Sequence, residues 1–348
     1  MDRPNPNSAS GTNLLLEIKN LKTYFKLDEG LVKAVDGVTF DIYRGETLGI
    51  VGESGCGKSI TARSILQIVD PPGKIVEGSI KYHRADGPQV KIIDIARLNP
   101  DSNQMRSIRG EEIAMIFQEP MTSLSPVYTI GNQIIEALHL HRKMSKAEAR
   151  HEAINLLQKV GIAAPERRVD EYPHQISGGM RQRAMIAIAL SCHPRLLLAD
   201  EPTTALDVTT QAQIMELMLE LKQEMGMGIV MITHDLGVIA EMAQRVVVMY
   251  LGRAVEVADA RALFHDPKHP YTQGLMQSVP KLGRRSHERL QPIQGMVPNP
   301  YRRPKGCLFH PRCPAFMPGK CDIIEPPLIT LPDGRQVSCL LYEGSGSK

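Results

Sequence analysis

The sequence predicts an α/β protein with a parallel sheet and a phosphate-binding loop, and two observations support this. Residues 47–51 form a short apolar run, typical of a buried strand, that leads directly into a glycine-rich turn. Further apolar runs alternate with segments of helical periodicity; they lie at 113–117, 196–199, 229–233 and 246–249. Strands that alternate with helices in this way indicate a parallel sheet with right-handed crossovers.

The glycine-rich turn at 52–59 has the spacing G-x-x-x-x-G-K-S of a phosphate loop. Its glycines let successive backbone N–H groups point at one anion, and Lys58 adds a positive charge for the outer phosphates. The Ser59 hydroxyl is a ligand for Mg²⁺, and a helix that begins near Lys58 directs its positive end to the same place. The residues expected to contact the nucleotide are Gly52, Glu53, Ser54, Gly55, Cys56, Gly57, Lys58 and Ser59.

The composition limits which classes of protein this chain can belong to. The chain has 348 residues, of which 42% are hydrophobic, and a net charge of +3. This size supports a large core in one to three domains, and the nearly balanced charge argues against a dedicated nucleic-acid binder. No run of about 18 apolar residues occurs, so no membrane span is expected. The chain also lacks a secretion signal, which favours the cytoplasm and reduced thiols.

The N-terminal part is expected to hold a lead-in and an antiparallel subdomain. Residues 1–12 are polar and rich in Pro, Asn and Ser, which is typical of disorder. Alternating apolar and polar residues at 15–21 and 38–42 predict antiparallel strands with one solvated face. Residues 84–110 are polar and irregular, and indicate a surface insertion.

The nucleotide-binding domain is expected to span 13–262 and to contain an inserted helical subdomain at about 119–176. Within that subdomain, Ser145 and Glu148 have the spacing of a capping box before a helix with one apolar face. After residue 262 the periodicity fades, and 263–348 are expected to form a small Cys-rich extension.

Polar residues follow the later strands and extend the candidate site. Asp200 and Glu201 end the strand at 196–199, where Asp200 is expected to hold Mg²⁺ through water and Glu201 to accept a proton from, or orient, the attacking water. A solvated acidic pair is the alternative. His234 follows the strand at 229–233 at the same sheet edge. Ser177-Gly178-Gly179 opens an apolar helix and predicts a second anion site.

Taken together, these residues resemble the ATPase subunit of an ABC transporter over 13–262, with a RecA-like P-loop core. In that family a head-to-tail dimer binds each ATP between the Walker A loop of one subunit and the signature turn of the other. The resemblance implies the following assignments: A-loop aromatic Phe25, Walker A 52–59, Q-loop Gln118, signature Ser177, Gly178 and Gly179, Walker B Asp200, catalytic Glu201, D-loop Asp207 and switch His234. It implies ATP with Mg²⁺ held by Ser59, Gln118 and Asp200. Here the signature continues with Met180, where the general pattern has Gln.

Three further motifs resemble the oligopeptide/dipeptide import subfamily: F-Q-E-P-M-T-S-L-S-P at 117–126, Y-P-H-Q at 172–175 and H-P-Y-T at 269–272. This resemblance implies an ATPase that energises peptide import, although close relatives handle oligosaccharides or nickel chelates. The implied partners are a second ABC ATPase, expected to be a paralogue, two permeases and an extracytoplasmic binding protein, with the chain on the cytoplasmic face of the membrane. A soluble ABC ATPase acting on DNA or ribosomes is the alternative, but the chain has neither a long coiled-coil insertion nor a second cassette.

Four cysteines near the C-terminus have the spacing C-x5-C-x7-C-x17-C, at Cys307, Cys313, Cys321 and Cys339. Structural zinc sites generally use tighter knuckles, whereas wider loops suit a cubane cluster that takes one thiolate from each direction. Several members of the resembling subfamily carry a [4Fe–4S] cluster here, which implies one in this chain. Zinc or no metal remain alternatives, and a structural role is expected ahead of redox sensing.

Overall fold

The computed structural model describes residues 13–86, 89–119, 123–204, 206–278 and 293–344. The segment at 1–12 predicted to be disordered lies outside this part of the chain. So do residues 120–122 of the 117–126 motif, residue 205 of the D-loop and two stretches of the predicted extension, 279–292 and 345–348. The described residues form two compact units, one within 1–43, 47–97 and 233–348, the other within 44–46 and 98–232.

The first unit contains an antiparallel sheet and a second sheet that carries the phosphate loop. Its strands are β1 (Leu14–Leu27), β2 (Gly30–Tyr43), β3 (Thr47–Val51), β4 (Gly73–Asp86), β5 (Gln89–Asp94), β9 (Arg245–Tyr250), β10 (Arg253–Asp259), β11 (Ile329–Thr330) and β12 (Gln336–Val337). The antiparallel sheet has the order β2-β1-β4-β5. This confirms the antiparallel strands predicted from alternation, which are longer than the sequence indicated, because Tyr24 and Phe25 continue β1.

The prediction of an irregular insertion at 84–110 was wrong. β4 continues to Asp86, β5 occupies Gln89–Asp94, and a helix, α2 (Asn103–Ile108), lies further along. The misleading feature is the pattern of β5, whose Val90 and Ile92 are exposed while the adjacent Ile93 is buried. An edge strand of this composition has no simple alternation from which it could be recognised.

The second sheet of the first unit carries the phosphate loop. Its strands have the order β11-β12-β10-β9-β3. β3 pairs in parallel with β9, with Leu48 opposite Arg245 and Val51 opposite Val248, while the remaining pairs are antiparallel. The helices of this unit are α1 (Lys58–Ile65), α8 (Leu236–Met242), α9 (Ala260–His265) and α10 (Pro270–Gln277).

The second unit contains three parallel strands, β6 (Ile113–Ile116), β7 (Leu196–Asp200) and β8 (Gly228–Ile232), in the order β8-β7-β6. Every residue of these strands is buried, which explains why each appeared in the sequence as a continuous apolar run. Its helices, besides α2, are α3 (Ile130–His141), α4 (Lys146–Lys159), α5 (Pro165–Arg168), α6 (Gly178–Leu190) and α7 (Val208–Met225). No helix among the described residues is long and apolar enough to cross a bilayer.

Local chemistry sets the bounds of the helices in the second unit. The Ser145 hydroxyl accepts the N–H of Glu148, and the Glu148 carboxylate accepts the N–H of Ser145, so the predicted capping box is formed. Gly161, at φ +73°, follows the end of α4. Gly131 lies where a Cβ atom would be 2.4 Å from Val169 Cγ2, so only glycine lets α3 approach this closely. Helix α7 begins at Val208, after its N-cap Asp207, and its last residue, Met225, is only half-buried.

We predict that Ser145→Ala lowers the free energy of unfolding of the second unit by about 1 kcal/mol, because the Glu148 N–H at the start of α4 loses the hydroxyl that accepts it. Thermal unfolding of the full chain measures this as a lower midpoint. Ser107→Ala is the matched control, because the Ser107 hydroxyl donates to the Gln104 carbonyl and caps no helix. Equal shifts in the two variants would contradict the prediction.

Candidate functional site

The phosphate loop follows β3 along a path that glycine makes possible. Gly52, Gly55 and Gly57 have φ of +152°, +77° and +100°. A Cβ atom at Gly52 would lie 2.2 Å from the carbonyl oxygen of Met249, and one at Gly57 would lie 2.2 Å from that of Ala34. Since these neighbours are strand backbone, larger residues cannot be accommodated by a rotamer change.

Lys58 lies inside the curl of this loop. Its side chain is buried, and Nζ donates to the carbonyl oxygens of Gly52 and Glu53 at 2.8 and 3.2 Å. The ammonium is therefore held over the turn in a position to pair with an anion. Cys56 beside it is also buried, and burial raises the pKa of its thiol, which stays neutral as expected for a small core residue.

The N-terminus of α1 supplies further donors to the same loop. Gly57 is its N-cap, and no side chain in the described part of the chain caps this end. The first turn contains no acidic residue. Backbone N–H groups at a helix start that lack an internal partner attract anions, and the helix dipole adds to this. Ser59, the predicted Mg²⁺ ligand, is the second residue of this helix.

The second unit brings Gln118 and Glu201 together, although 83 positions separate them. Gln118 Nε2 donates to Glu201 Oε2 at 3.1 Å, and Thr204 Oγ1 donates to the same oxygen at 2.9 Å. Glu201 has φ +48°, and its N–H donates to the Ile232 carbonyl at 2.8 Å. Asp200, the last residue of β7, is only 2% exposed. The carboxylate of Glu201 is therefore oriented by two donors from its own unit.

The signature and D-loop residues lie at the starts of two helices in the same unit. Ser177 is the N-cap of α6, where its hydroxyl accepts the Met180 N–H at 3.3 Å, while Gly178 and Gly179 form the first turn. Asp207 is the N-cap of α7 and accepts the N–H and the hydroxyl of Thr210 at 2.9 and 2.7 Å. The backbone hydrogen bond from Thr210 is the main cause that lowers the pKa of Asp207.

The remaining predicted residues of the nucleotide site lie in the first unit. His234 is exposed and directly precedes Asp235, the N-cap of α8. Phe25 is half-buried in β1, and its ring would lie 2.5 Å from a Cβ atom at Gly73. The neighbouring Tyr24 points its hydroxyl at Asp36 Oδ1, at 2.5 Å. Tyr24 is thus bonded to a carboxylate, whereas Phe25 has no hydroxyl that could form such a bond.

The sequence analysis missed two residues that contact the phosphate loop. Arg312 forms an ion pair with the Glu53 carboxylate, and the Tyr271 hydroxyl accepts the Glu53 N–H. Tyr271 belongs to the H-P-Y-T motif, but nothing in that motif indicates its contact partner. The Glu53–Arg312 contact joins positions 259 apart in the sequence, so no local pattern could reveal it.

The four C-terminal cysteines line one small cavity, together with His269, Phe309, Met317 and Leu340. All four are free thiols. Burial raises the pKa of Cys307 and Cys313, and that of Cys339 to about 11. Among the described residues, no group of three or more His, Cys, Asp or Glu side chains is arranged to hold a metal ion. The described positions of these side chains therefore support neither the predicted iron–sulfur cluster nor a zinc ion.

Comparison with known proteins identifies the family. Residues 35–204 match the model "ABC transporter", and residues 255–321 match "Oligopeptide/dipeptide transporter, C-terminal region". The oligopeptide transport ATP-binding protein AppD of Bacillus subtilis (strain 168) is 52% identical over 96% of this chain and 98% of its own length. The chain belongs to the oligopeptide/dipeptide transport ATP-binding proteins of the ABC transporter family.

Further relatives agree with this membership. The dipeptide transport ATP-binding protein DppD of Escherichia coli (strain K12) is 47% identical over 93% of this chain and 96% of its own length. Among solved structures, the ATP-binding cassette MJ0796 bound to ADP and Pi aligns with a TM-score of 0.62 and 30% identity, covering 71% of this chain and 99% of MJ0796. The predicted α/β cassette fold is thereby confirmed, and the activity of this oligopeptide/dipeptide transport ATPase is ATP hydrolysis.

We predict that Gly57→Ala in this ABC ATPase lowers the midpoint of thermal unfolding and abolishes nucleotide binding, because its Cβ atom collides with the Ala34 carbonyl. Gly55→Ala is the matched control. Gly55 also has a positive φ, but a Cβ atom there meets nothing within 4 Å, so only the backbone strain of about 1 kcal/mol remains. Thermal unfolding and titration with a fluorescent ATP analogue give the comparison. Equal behaviour of the two variants would show that the close contact at Gly57 is unimportant.

Proposed function

We propose that this chain is the ATP-binding and hydrolysing subunit of an ABC importer for di- or oligopeptides. The observation that carries this proposal is full-length similarity: relatives at 47–52% identity across more than nine tenths of the chain are named for oligopeptide or dipeptide transport. The match of residues 255–321 to a C-terminal region named for the same transporters also favours peptides over oligosaccharides or nickel chelates.

The phosphate loop carries the binding step of this proposal. Residues 52–59 bind the triphosphate through backbone N–H groups and the Lys58 ammonium, with Phe25 against the adenine. Mg²⁺ would be held by Ser59, Gln118 and Asp200, the residues that the family resemblance assigns to it, and it would neutralise phosphate charge there. Phosphoryl transfer needs mainly positioning and charge neutralisation, and these residues supply both.

Glu201 carries the chemical step. Its carboxylate takes a proton from the attacking water as the oxygen forms its bond to the γ-phosphorus and the bond to ADP breaks. Support comes from the two hydrogen bonds of Gln118 and Thr204, which fix Oε2. His234 contacts the γ-phosphate, and Asp207 belongs to the dimer-facing D-loop. Since Gln118 touches Glu201, a movement of the segment that follows Gln118 would alter the orientation of the carboxylate.

Coupling to transport requires partners. We propose a head-to-tail dimer in which Ser177, Gly178 and Gly179 contact the nucleotide of a second ABC ATPase, and a paralogue is the favoured second subunit. Dimeric structures exist for the cassette MJ0796. Two permeases and an extracytoplasmic binding protein complete the importer, which places this chain at the cytoplasmic face of the inner membrane. Val127 and Tyr128, 71% and 56% exposed, fit a surface for a short permease helix.

The division of the chain is part of the same proposal. An ABC ATPase domain spans 13–262, its helical subdomain spans about 119–176, and a C-terminal extension spans 263–348. The extension carries the four cysteines, and we propose that Cys307, Cys313, Cys321 and Cys339 hold a [4Fe–4S] cluster. What supports this proposal is the number and kind of donors: four free thiols line one cavity, and a [4Fe–4S] cluster takes four thiolates.

We predict that Glu201→Gln still binds ATP but loses hydrolysis by a factor of about 10² or more, because the amide cannot take a proton from water. The assembled complex with its permeases is assayed for phosphate release, and nucleotide binding is measured in parallel. Glu220→Gln, the same change on the exposed face of α7, is the control. Wild-type hydrolysis by Glu201→Gln would remove Glu201 from its proposed role.

We predict that the chain purified without oxygen contains about four iron atoms and about four sulfides, and that Cys313→Ser lowers both. Elemental analysis and the visible absorption spectrum measure this. Cys192→Ser is the control, because Cys192 is a buried thiol of the second unit. Stoichiometric zinc, or no metal in protein handled without oxygen, would refute the cluster.

A further inference from the structure

Glu53 of the phosphate loop is held at two points by residues of the C-terminal third of the chain. Arg312 donates from both terminal nitrogens to the Glu53 carboxylate, at 2.7 Å to Oε2 and 2.9 Å to Oε1. The Tyr271 hydroxyl accepts the Glu53 backbone N–H at 2.8 Å. Side chain and backbone of one loop residue are thus both fixed, and a two-point guanidinium–carboxylate pair also fixes orientation.

The Arg312 side chain is itself immobilised. It is 4% exposed, and Nε donates to the Gln294 carbonyl at 3.2 Å. Its guanidinium lies 5.9 Å from the ring centre of Tyr250 and 6.0 Å from that of Phe309. Little side-chain freedom is left to lose when Arg312 pairs with Glu53, which distinguishes this contact from an exposed surface ion pair.

The hydroxyl of Tyr271 is held by packing. Tyr271 is fully buried, with its ring centre 4.7 Å from that of Tyr250 and 5.4 Å from that of Phe309. Tyr250 and Phe309 meet edge to face at 5.3 Å. Three aromatic rings thus form a rigid cluster, from which one hydroxyl reaches the phosphate loop.

Glu53, which these contacts fix, also accepts a hydrogen bond from the lysine of the phosphate loop. Lys58 Nζ donates to the carbonyl of Glu53 and to that of Gly52, which precedes it. A shift of Glu53 would move both carbonyls and with them the ammonium. We propose that Arg312 and Tyr271 are positioning residues for ATP: they hold Glu53 so that the loop keeps its phosphate-binding conformation.

This inference rests on nucleotide binding by residues 52–59 and depends on neither the transported substrate nor a metal. It makes the C-terminal segment a part of the nucleotide site and not merely an appendage. The rival explanation is that the ion pair only docks that segment. Docking alone affects stability, whereas positioning affects nucleotide affinity in protein that remains folded.

We predict that Arg312→Gln in the full chain weakens binding of a fluorescent ATP analogue by about tenfold, within the range of coupling found for residues in contact. Arg312→Lys, which keeps the charge but loses the two-point geometry, gives a smaller loss. In the assembled complex, the KM for ATP rises by a similar factor while kcat changes less, because the proposed base Glu201 is untouched.

Two variants make the test specific to Glu53. Glu53→Gln is expected to weaken binding as Arg312→Gln does, and the double variant to be no weaker than either, because both changes remove one contact. Tyr271→Phe keeps the ring cluster and removes only the acceptor for the Glu53 N–H, for an expected loss of about threefold. This variant also provides the test if Arg312→Gln does not fold.

The matched control is Arg335→Gln. Arg335 is also well ordered, with bonds to Asp333 and Asp266, and it fixes the same C-terminal segment away from the phosphate loop. The positioning role is supported if Arg335→Gln binds nucleotide as tightly as the wild type while Arg312→Gln binds it more weakly. Unchanged affinity in folded Arg312→Gln and Tyr271→Phe, or additive losses in the double variant, overturns it. If the wild type itself failed to bind ATP, the proposed function would fail first.

Discussion

The backbone path of the phosphate loop is the constraint on which the rest of the first unit depends. Gly52 and Gly57 each lie against a strand carbonyl, that of Met249 in β9 and that of Ala34 in β2. A strand carbonyl cannot move aside without disturbing its ladder. The conformation of the loop is therefore imposed by the strands around it and is present before any nucleotide arrives, which lowers the entropic cost of binding.

A buried carboxylate ties the N-terminal sheet to the C-terminal segment beside this loop. Asp36, 5% exposed, accepts hydrogen bonds from Tyr24, Arg253 and Arg303 at 2.5, 3.0 and 2.7 Å. Burial alone would raise its pKa, but the bonds from Tyr24 and Arg253 outweigh it and lower the pKa, so Asp36 remains charged. Arg303 also donates to the Lys33 carbonyl, next to the Ala34 that contacts Gly57. The same network thus orders both the C-terminal segment and one wall of the loop.

A structural feature can be predicted from this sequence when the residues that form it lie close together along the chain. The strands β3, β6, β7 and β8, the Ser145 cap and the phosphate loop are encoded in short windows, and they were predicted. β5 was missed because Val90 and Ile92 face solvent, so the apolar pattern gives no indication of a strand. Glu53–Arg312 was missed because a contact between residues so far apart in the sequence is determined by the tertiary fold.

The position of Arg312 links the cysteines to the nucleotide site. Phe309 and Arg312 lie between Cys307 and Cys313, in a stretch whose regular structure is one short 3-10 turn, His310–Arg312. Phe309 is buried in the aromatic cluster, and the Cys307 N–H donates to the Cys321 carbonyl at 2.8 Å. Because so little secondary structure fixes this stretch, tertiary contacts such as those of Phe309 and Arg312 hold it in place. Only a few residues, all within the first unit, therefore separate the four cysteines from the phosphate loop.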